Sequence, residues 1–270
     1  SSRNGPACLW DIPTAPLPVP SWVSDLAEVL AGQRFDSAGS LETVAATRFE
    51  EVKDGNRRDL FSRVVHGSRL SLQVGLATVT IALMIGTLLG AVAGFVGGWV
   101  DNVIMRIMDV FLAFPSLLLA IAVVSVLGTG LINTLLAISL VSIPVYARIV
   151  RATVIGVKEM DYITASQALG ASQGRVLFTR ILPNSLTPLI VQGTLGIATA
   201  ILEAAGLSFL GLGAQPPLPE WGLMLGEERN SVFNAPHLLI FPGIAIMLTV
   251  LAFNLLGDGL RDALDPRRKA

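Results

Sequence analysis

Five long, predominantly apolar stretches constrain the fold of this chain more than any other feature. They cover residues 70–97, 103–127, 132–154, 186–207 and 238–256. A bilayer core is about 30 Å thick, and roughly 20 helical residues cross it. A helix also satisfies its own backbone hydrogen bonds, which lipid cannot do. The sequence therefore predicts an all-α, polytopic bundle with five visible transmembrane spans.

The composition supports a membrane protein in contact with lipid and excludes several other classes. Hydrophobic residues make up 52% of the chain and charged residues 14%. The net charge of −1 offers no concentrated basic surface for a nucleic acid. A single cysteine excludes an intrachain disulfide framework.

The distribution of charged residues predicts the orientation, because Lys and Arg of short loops stay on the cytoplasmic side. The loop between the third and fourth spans carries Arg148, Arg151, Lys158, Arg175 and Arg180, and the tail carries Arg261, Arg267, Arg268 and Lys269. The loop between the fourth and fifth spans carries Glu220, Glu227 and Glu228, with Arg229 as its only basic residue. The first loop and the C-terminus are therefore predicted to be cytoplasmic.

The spans and loops give a provisional domain organisation. We expect an extracytoplasmic arm and leading helix (1–69), a transmembrane domain (70–256) with a cytoplasmic loop (156–184) and an outer loop (208–236), and a cytoplasmic tail (257–270). Residues 1–45 are rich in proline and are predicted to be extended and only partly ordered. An outer N-terminus without a signal peptide predicts a sixth span ahead of Ser1.

The polar insert at 159–183 has the pattern of a surface helix that enters a partner's cleft. Small residues lie between apolar anchors, an acid stands where a helix would begin, and Gly170 permits the left-handed residue that ends a helix. A plain connecting loop is the alternative. We expect the contact to involve Asp161, Tyr162, Thr164, Ala165, Ser166, Leu169, Gly170 and Pro183.

Two carboxylates lie within predicted spans, where charge is costly and usually functional. Asp109 is near the start of the second span and Glu203 is near the outer end of the fourth. We interpret both as candidates for lining or gating a pathway, with a structural hydrogen bond as the alternative for Glu203.

Glycines recur every fourth residue in the first span, at Gly86, Gly90, Gly94 and Gly98. Such a spacing places them on one helix face and lets a second helix approach closely. Packing within the bundle is the preferred interpretation, and a dimer seam or pathway is the alternative.

No enzymatic motif is present in the sequence. None of the three lysines, Lys53, Lys158 and Lys269, stands in a phosphate-binding G-x-x-x-x-G-K-[ST] motif. Cys8 has no histidine near it, and His66 and His237 stand apart from any cysteine or carboxylate cluster. We therefore predict a non-enzymatic chain with no catalytic residue, cofactor or metal of its own.

The insert resembles the EAA motif of binding-protein-dependent ABC importer permeases. Thr164-Ala165-Ser166, Gly170 and Leu182-Pro183 match the spacing, with Thr164 in place of the motif's glutamate and Arg180 in place of its isoleucine. Three further blocks look like the C-type permease subunit of dipeptide and oligopeptide importers: GGWVDNVIMRIMDVFLAFPSLLLAI (97–121), LSFLGLGAQPPLPEWG (207–222) and LAFNLLGDGLRDALDP (251–266).

The resemblance implies a type I ABC importer permease fold and a bacterial inner-membrane location. It also implies a second homologous permease, two ATP-binding subunits that hold ATP and Mg²⁺, and an extracytoplasmic binding protein that delivers the peptide. The insert would be the coupling helix. The outer residues Pro217, Glu220 and Trp221 would face the binding protein, unless their loop instead plugs the outer mouth of the bundle.

Other functions stay open at this point. Nickel and glutathione importers share the same architecture, and no residue separates them from peptide carriers. An ion-driven transporter would be expected to have midplane charges and repeat symmetry, which the sequence does not display. A membrane scaffold without transport is the remaining alternative.

Overall fold

The computed structural model describes residues 33–35, 41–43 and 46–264, with side chains from Leu60 onward. These residues form helices and their connections, apart from the short antiparallel strands β1 (Gln33–Phe35) and β2 (Leu41–Thr43). The α-helices are α1 (Ala46–Val96), α2 (Gly98–Leu112), α3 (Ser116–Leu127), α4 (Leu131–Lys158), α5 (Asp161–Ala168), α6 (Gln173–Val176), α7 (Leu182–Phe209), α8 (Trp221–Glu227) and α9 (His237–Leu264). A π-helical turn (Leu177–Ile181) precedes α7, and a 3₁₀ turn (Arg229–Ser231) follows α8.

Four helical segments in the described residues are long and apolar enough to cross a membrane. They are Leu60–Val96, Leu131–Lys158, Gln173–Phe209 and His237–Leu264. The pair α2 and α3 passes the same test together, but its two helices are bent by 93°. The predicted number of five spans is reached when this broken pair is counted as one.

The single helix predicted over 103–127 is therefore wrong, because the chain breaks after Leu112. Pro115 lacks an amide hydrogen and disfavours helical geometry at Phe114. Pro115 adopts an extended conformation with φ −57° and ψ 130°, and α3 begins at the next residue. Hydropathy alone did not reveal this break, because the residues on both sides of it are apolar.

The core lies where α1, α4 and α7 pack together, and the glycines of α1 permit this close approach. A Cβ atom at Gly86 would lie 2.7 Å from the Cβ of Tyr146, and one at Gly94 would lie 2.9 Å from the backbone oxygen of Arg151. The fourth glycine of the repeat, Gly98, has no such neighbour. The glycines of the repeat that lie on α1 therefore allow close packing within this chain. Gly98, the last glycine of the repeat, does not have this role.

The predicted domain boundaries fall inside continuous helices. Helix α1 runs through positions 69 and 70 without a break, and α9 continues past residue 256 to Leu264. The predicted arm, 1–45, lies mostly outside the described residues, as do the last six residues of the predicted tail.

Candidate functional site

Helix α5 is a short helix in the polar loop, anchored to the bundle by one apolar residue. Its first turn contains Asp161, and the amides of Ile163 and Thr164 donate to the carbonyl oxygen of Met160 at 2.9 and 3.4 Å. The side chain of Ile163 is fully buried and packs in the main hydrophobic core. Ile163 was absent from the predicted site, because one isoleucine in a polar segment gives no periodic signal.

The end of α5 is a Schellman motif, as Gly170 predicts. The amide of Gly170 donates to the carbonyl of Gln167 at 2.9 Å, and that of Ala171 donates to the carbonyl of Ser166 at 3.1 Å. Gly170 has φ +87°, a conformation that strains residues with a side chain. The helix therefore ends in a fixed geometry.

The predicted contact residues share one exposed surface. Asp161, Tyr162, Thr164, Ala165 and Leu169 are exposed, and Ser166 is half-buried. We call these six residues the α5 surface. Leu169 is 89% exposed, which is costly for a leucine that nothing covers. The arrangement suits a helix that fits into a complementary groove.

Pro183 is the one predicted contact residue that lies elsewhere, in the first turn of α7. Asn184 next to it donates to the hydroxyl of Tyr162 at 3.3 Å and to the carbonyl of Arg180 at 2.6 Å. Val176 and Ile181 are fully buried between α5 and α7. These contacts connect the α5 surface to the long helix α7.

A cleft separates the end of α5 from the turns that follow. Its volume is about 280 Å³, and its lining consists of Ser166, Leu169, Gly170, Ala171, Arg175, Val176, Thr179 and Arg180. Phe178, on the π-helical turn, is 64% exposed. The sequence interpretation did not assign the two arginines to the site, because only the reversal of the chain at Gly170 brings them to the cleft beside α5.

Asp109 lies in a pair of ion bridges between α2 and α4. Its carboxylate accepts a hydrogen bond from Arg148 at 2.6 Å. Two turns earlier, Asp101 accepts two hydrogen bonds from Arg151. Asp109 is thus a paired surface acid, and Asp101 is a bridging residue that the sequence interpretation missed.

Glu203 is half-buried on α7 and lies at the break between α2 and α3. Ser116, the first residue of α3, lies near the Glu203 side chain. In the described part of the chain, no basic side chain pairs with Glu203. Pro115, the residue before α3, makes no side-chain cap hydrogen bond, so a polar side chain near this helix start is favourable.

Glu220 and Trp221, two of the residues predicted to face a binding protein, point into the chain. Glu220 is 2% exposed and caps α8 by accepting from the amide of Leu223 at 2.8 Å. Ser71 also donates to Glu220 at 3.3 Å. Trp221 is 3% exposed, and its ring nitrogen donates to the carbonyl of Val64 at 2.9 Å. Pro217 is the exposed member of the three predicted residues, so the predicted contact with a binding protein would depend on Pro217.

A family model matches residues 86–270 of this chain, and its description is "Binding-protein-dependent transport system inner membrane component". The chain is 57% identical to the dipeptide transport system permease protein DppC of Alkalihalophilus pseudofirmus, over 79% of this chain and 70% of that protein. It is 55% identical to the di/tripeptide transport system permease protein DppC of Pseudomonas aeruginosa, over 82% and 73%. It is 52% identical to the glutathione transport system permease protein GsiD of Pectobacterium atrosepticum, over 80% and 72%.

Solved structures share the fold at low sequence identity. An inward-facing structure of the MetNI methionine ABC transporter superposes with a TM-score of 0.64 at 18% identity, over 77% of this chain and 98% of that chain. An amino acid ABC transporter superposes with a TM-score of 0.58 at 16% identity, over 77% and 97%. The predicted type I permease fold is confirmed.

Proposed function

This chain belongs to the family of binding-protein-dependent transport system inner membrane components, and we propose that it acts as a permease subunit of an ATP-driven importer of dipeptides and oligopeptides. It is a multi-pass membrane protein. The observation that supports this proposal best is the α5 surface, an exposed helix face in a loop that leads into a spanning helix.

The α5 surface is proposed to dock into a groove of an ATP-binding subunit. Small side chains at Ala165 and Ser166 allow close approach, and Leu169 offers an apolar anchor. Burial of a leucine side chain is worth about 1.5–3 kcal/mol. The partner subunits are proposed to bind ATP and Mg²⁺, while this chain supplies the docking helix and part of the pathway.

Force is proposed to pass from α5 to the membrane through contacts on both sides of the loop. Ile163 holds α5 to the core, and Tyr162 receives a hydrogen bond from Asn184 at the start of α7. Movement of α5 with the ATP-binding subunits would therefore tilt α7. Glu203 lies on α7 near Ser116, the first residue of α3, so the tilt would reach the broken span.

Peptides are the proposed substrate because two similar relatives are dipeptide or di/tripeptide permeases at 57% and 55% identity. Glutathione is the second candidate, since a glutathione permease is 52% identical. The binding protein that delivers the substrate is expected to select between them.

The remaining partners follow from the same proposal. Only 11% of the most apolar stretch of helix α9 is buried inside this chain. The rest of that stretch is left for contact with lipid or with a second permease subunit. We propose that a homologous permease completes the pathway, that the C-terminus is cytoplasmic, and that the outer loop around Pro217 faces an extracytoplasmic binding protein.

Reconstitution tests this function. The chain, its second permease and the ATP-binding subunits are placed in proteoliposomes with the binding protein inside or outside, and uptake of labelled dipeptide and glutathione is measured. ATP-dependent dipeptide uptake that exceeds glutathione uptake is expected. Uptake that needs an ion gradient but no ATP would contradict the proposal, and so would the absence of any transport.

A further inference from the structure

The cleft beside α5 is continuous with the α5 surface. Ser166 and Leu169 belong to both, and Gly170 turns the chain between them. A partner that covers the exposed side chain of Leu169 therefore also reaches the cleft.

The basic side chains of the predicted cytoplasmic loop differ in whether they have a partner within the chain. Arg148 pairs with Asp109 and Arg151 pairs with Asp101. Lys158 donates to the backbone oxygen of Phe95 at 2.7 Å. These three basic side chains therefore find their partners inside the chain.

The other two basic residues of this loop, Arg175 and Arg180, line the cleft. Both are exposed, and neither guanidinium has an ion pair or hydrogen bond among the described residues. Their backbone oxygens do accept bonds, from Thr179 and Asn184, but these bonds leave the guanidinium groups unused. The cleft lining contains no acidic residue. Two unpaired cations thus lie beside one pocket.

We propose that this cleft receives an acidic side chain of the ATP-binding subunit, held between Arg175 and Arg180. The inference rests on the proposed function, because it assigns a second contact to the same docking partner. A guanidinium presents a fork of donors that fits a carboxylate with two hydrogen bonds. The apolar parts of Leu169 and Val176 line the same cleft and limit the access of water when it is covered.

The two contacts have different physical signatures. The α5 surface contributes apolar burial, which depends weakly on salt. Exposed charges are screened within about 10 Å at 0.1 M salt, so the arginine contact weakens as salt rises. Charge pairs at the edge of an interface mainly affect association rate and salt dependence.

The test measures the affinity of purified ATP-binding subunits for the assembled permease pair in nanodiscs of zwitterionic lipid. Affinity is titrated across roughly 50 to 500 mM salt. Arg175→Gln and Arg180→Gln should each weaken binding about 10-fold at low salt, and the double variant should flatten the salt dependence. Arg180→Lys, which keeps charge but loses the fork, should fall between Arg180→Gln and the wild type.

Arg69→Gln is the matched control. Arg69 is an exposed arginine at the other end of the first span from the loop, and its replacement should leave binding unchanged. Unchanged affinity and salt dependence in both cleft variants would overturn the proposal. The same would hold if the variants lost only binding to anionic vesicles, which would assign the cleft to a lipid headgroup. A wild-type permease that binds no ATP-binding subunit would overturn the proposed function as well.

Discussion

Tyr146 lies between glycines of two different helices. A Cβ atom at Gly86 would lie 2.7 Å from the Cβ of Tyr146, and a Cβ atom at Gly196 would collide with the tyrosine hydroxyl. Tyr146 is buried. The ring thus fills the space that the two glycines leave between α1, α4 and α7.

We predict that Gly196→Ala destabilises the chain and that Tyr146→Phe restores it. The added methyl group meets the hydroxyl, and overpacking of a filled core costs about 1–3 kcal/mol. Removal of the hydroxyl leaves the ring carbon Cζ of residue 146 as the nearest atom, at 3.4 Å. The thermal unfolding midpoint in detergent measures the effect for both single variants and the pair.

Gly206→Ala is the control on the same helix. Its Cβ would lie 3.8 Å from the nearest atom, on Leu117, which is an ordinary contact. We expect an unfolding midpoint equal to or above that of the wild type, because alanine favours helix more than glycine does. A Gly196→Ala variant that behaves like Gly206→Ala would contradict the account of Tyr146.

Glu203 yields a prediction about transport. Glu203→Gln keeps a polar group near Ser116, whereas Glu203→Leu removes it and leaves the start of α3 without this group. We expect Leu, but not Gln, to lower the unfolding midpoint and to reduce dipeptide uptake several-fold. Equal uptake by the Leu variant and the wild type would rule out this positioning role.

At the scale of elements, α5 works only if its end is fixed. Gly170 holds φ +87° with no atom near its missing Cβ, so a substitution there strains the backbone without a steric clash. Strain of this kind costs of order 1–3 kcal/mol. Relief of the strain would unwind the last turn, where Leu169 and Ser166 belong to the α5 surface.

Gly170→Leu is therefore predicted to weaken binding of the ATP-binding subunits by roughly one order of magnitude while the spans stay folded. The affinity measurement used for the arginine variants reports this change. Gly174→Ala is the control, because Gly174 is also open but has no positive φ. Equal affinity for both variants would show that the Schellman motif does not matter for docking.

Spanning segments depart from regular helix at Pro115 and at the π-helical turn, both within the described residues. Proline removes a backbone donor and breaks the second span at Phe114. Leu177–Ile181 forms the π-helical turn directly before Leu182, where α7 begins. Such turns occur often at functional sites, and this one connects the loop that carries α5 to α7.

For the whole molecule, hydropathy was enough to predict four of the spans, because the length of an apolar run reports directly on membrane crossing, but it did not reveal the break between α2 and α3. The site was predicted where local chemistry decides it, as with Gly170 ending α5. Tertiary context decides the rest. Glu220 reads as a surface acid in sequence, yet it caps α8 and accepts from Ser71, 149 residues away.

The same limit applies to Ile163 and the cleft arginines. A single buried isoleucine in a polar segment has no periodic signal, and the pairing of Asp101 with Arg151 spans 50 residues. Only the packing of the helices shows which basic side chains of the loop have a partner within the chain. Only the structure therefore shows that Arg175 and Arg180 have no ion pair among the described residues.

Site-specific cross-linking tests the central claim, that the α5 surface docks on an ATP-binding subunit. Cys8 is the only cysteine, so Cys8→Ser gives a background for single probes. A photo-reactive probe at Ala165→Cys should attach to the ATP-binding subunit. A probe at Phe233→Cys, which is 94% exposed in the loop predicted to lie on the outer side, should not. Attachment from position 233 but not from 165, or from neither, would contradict the account.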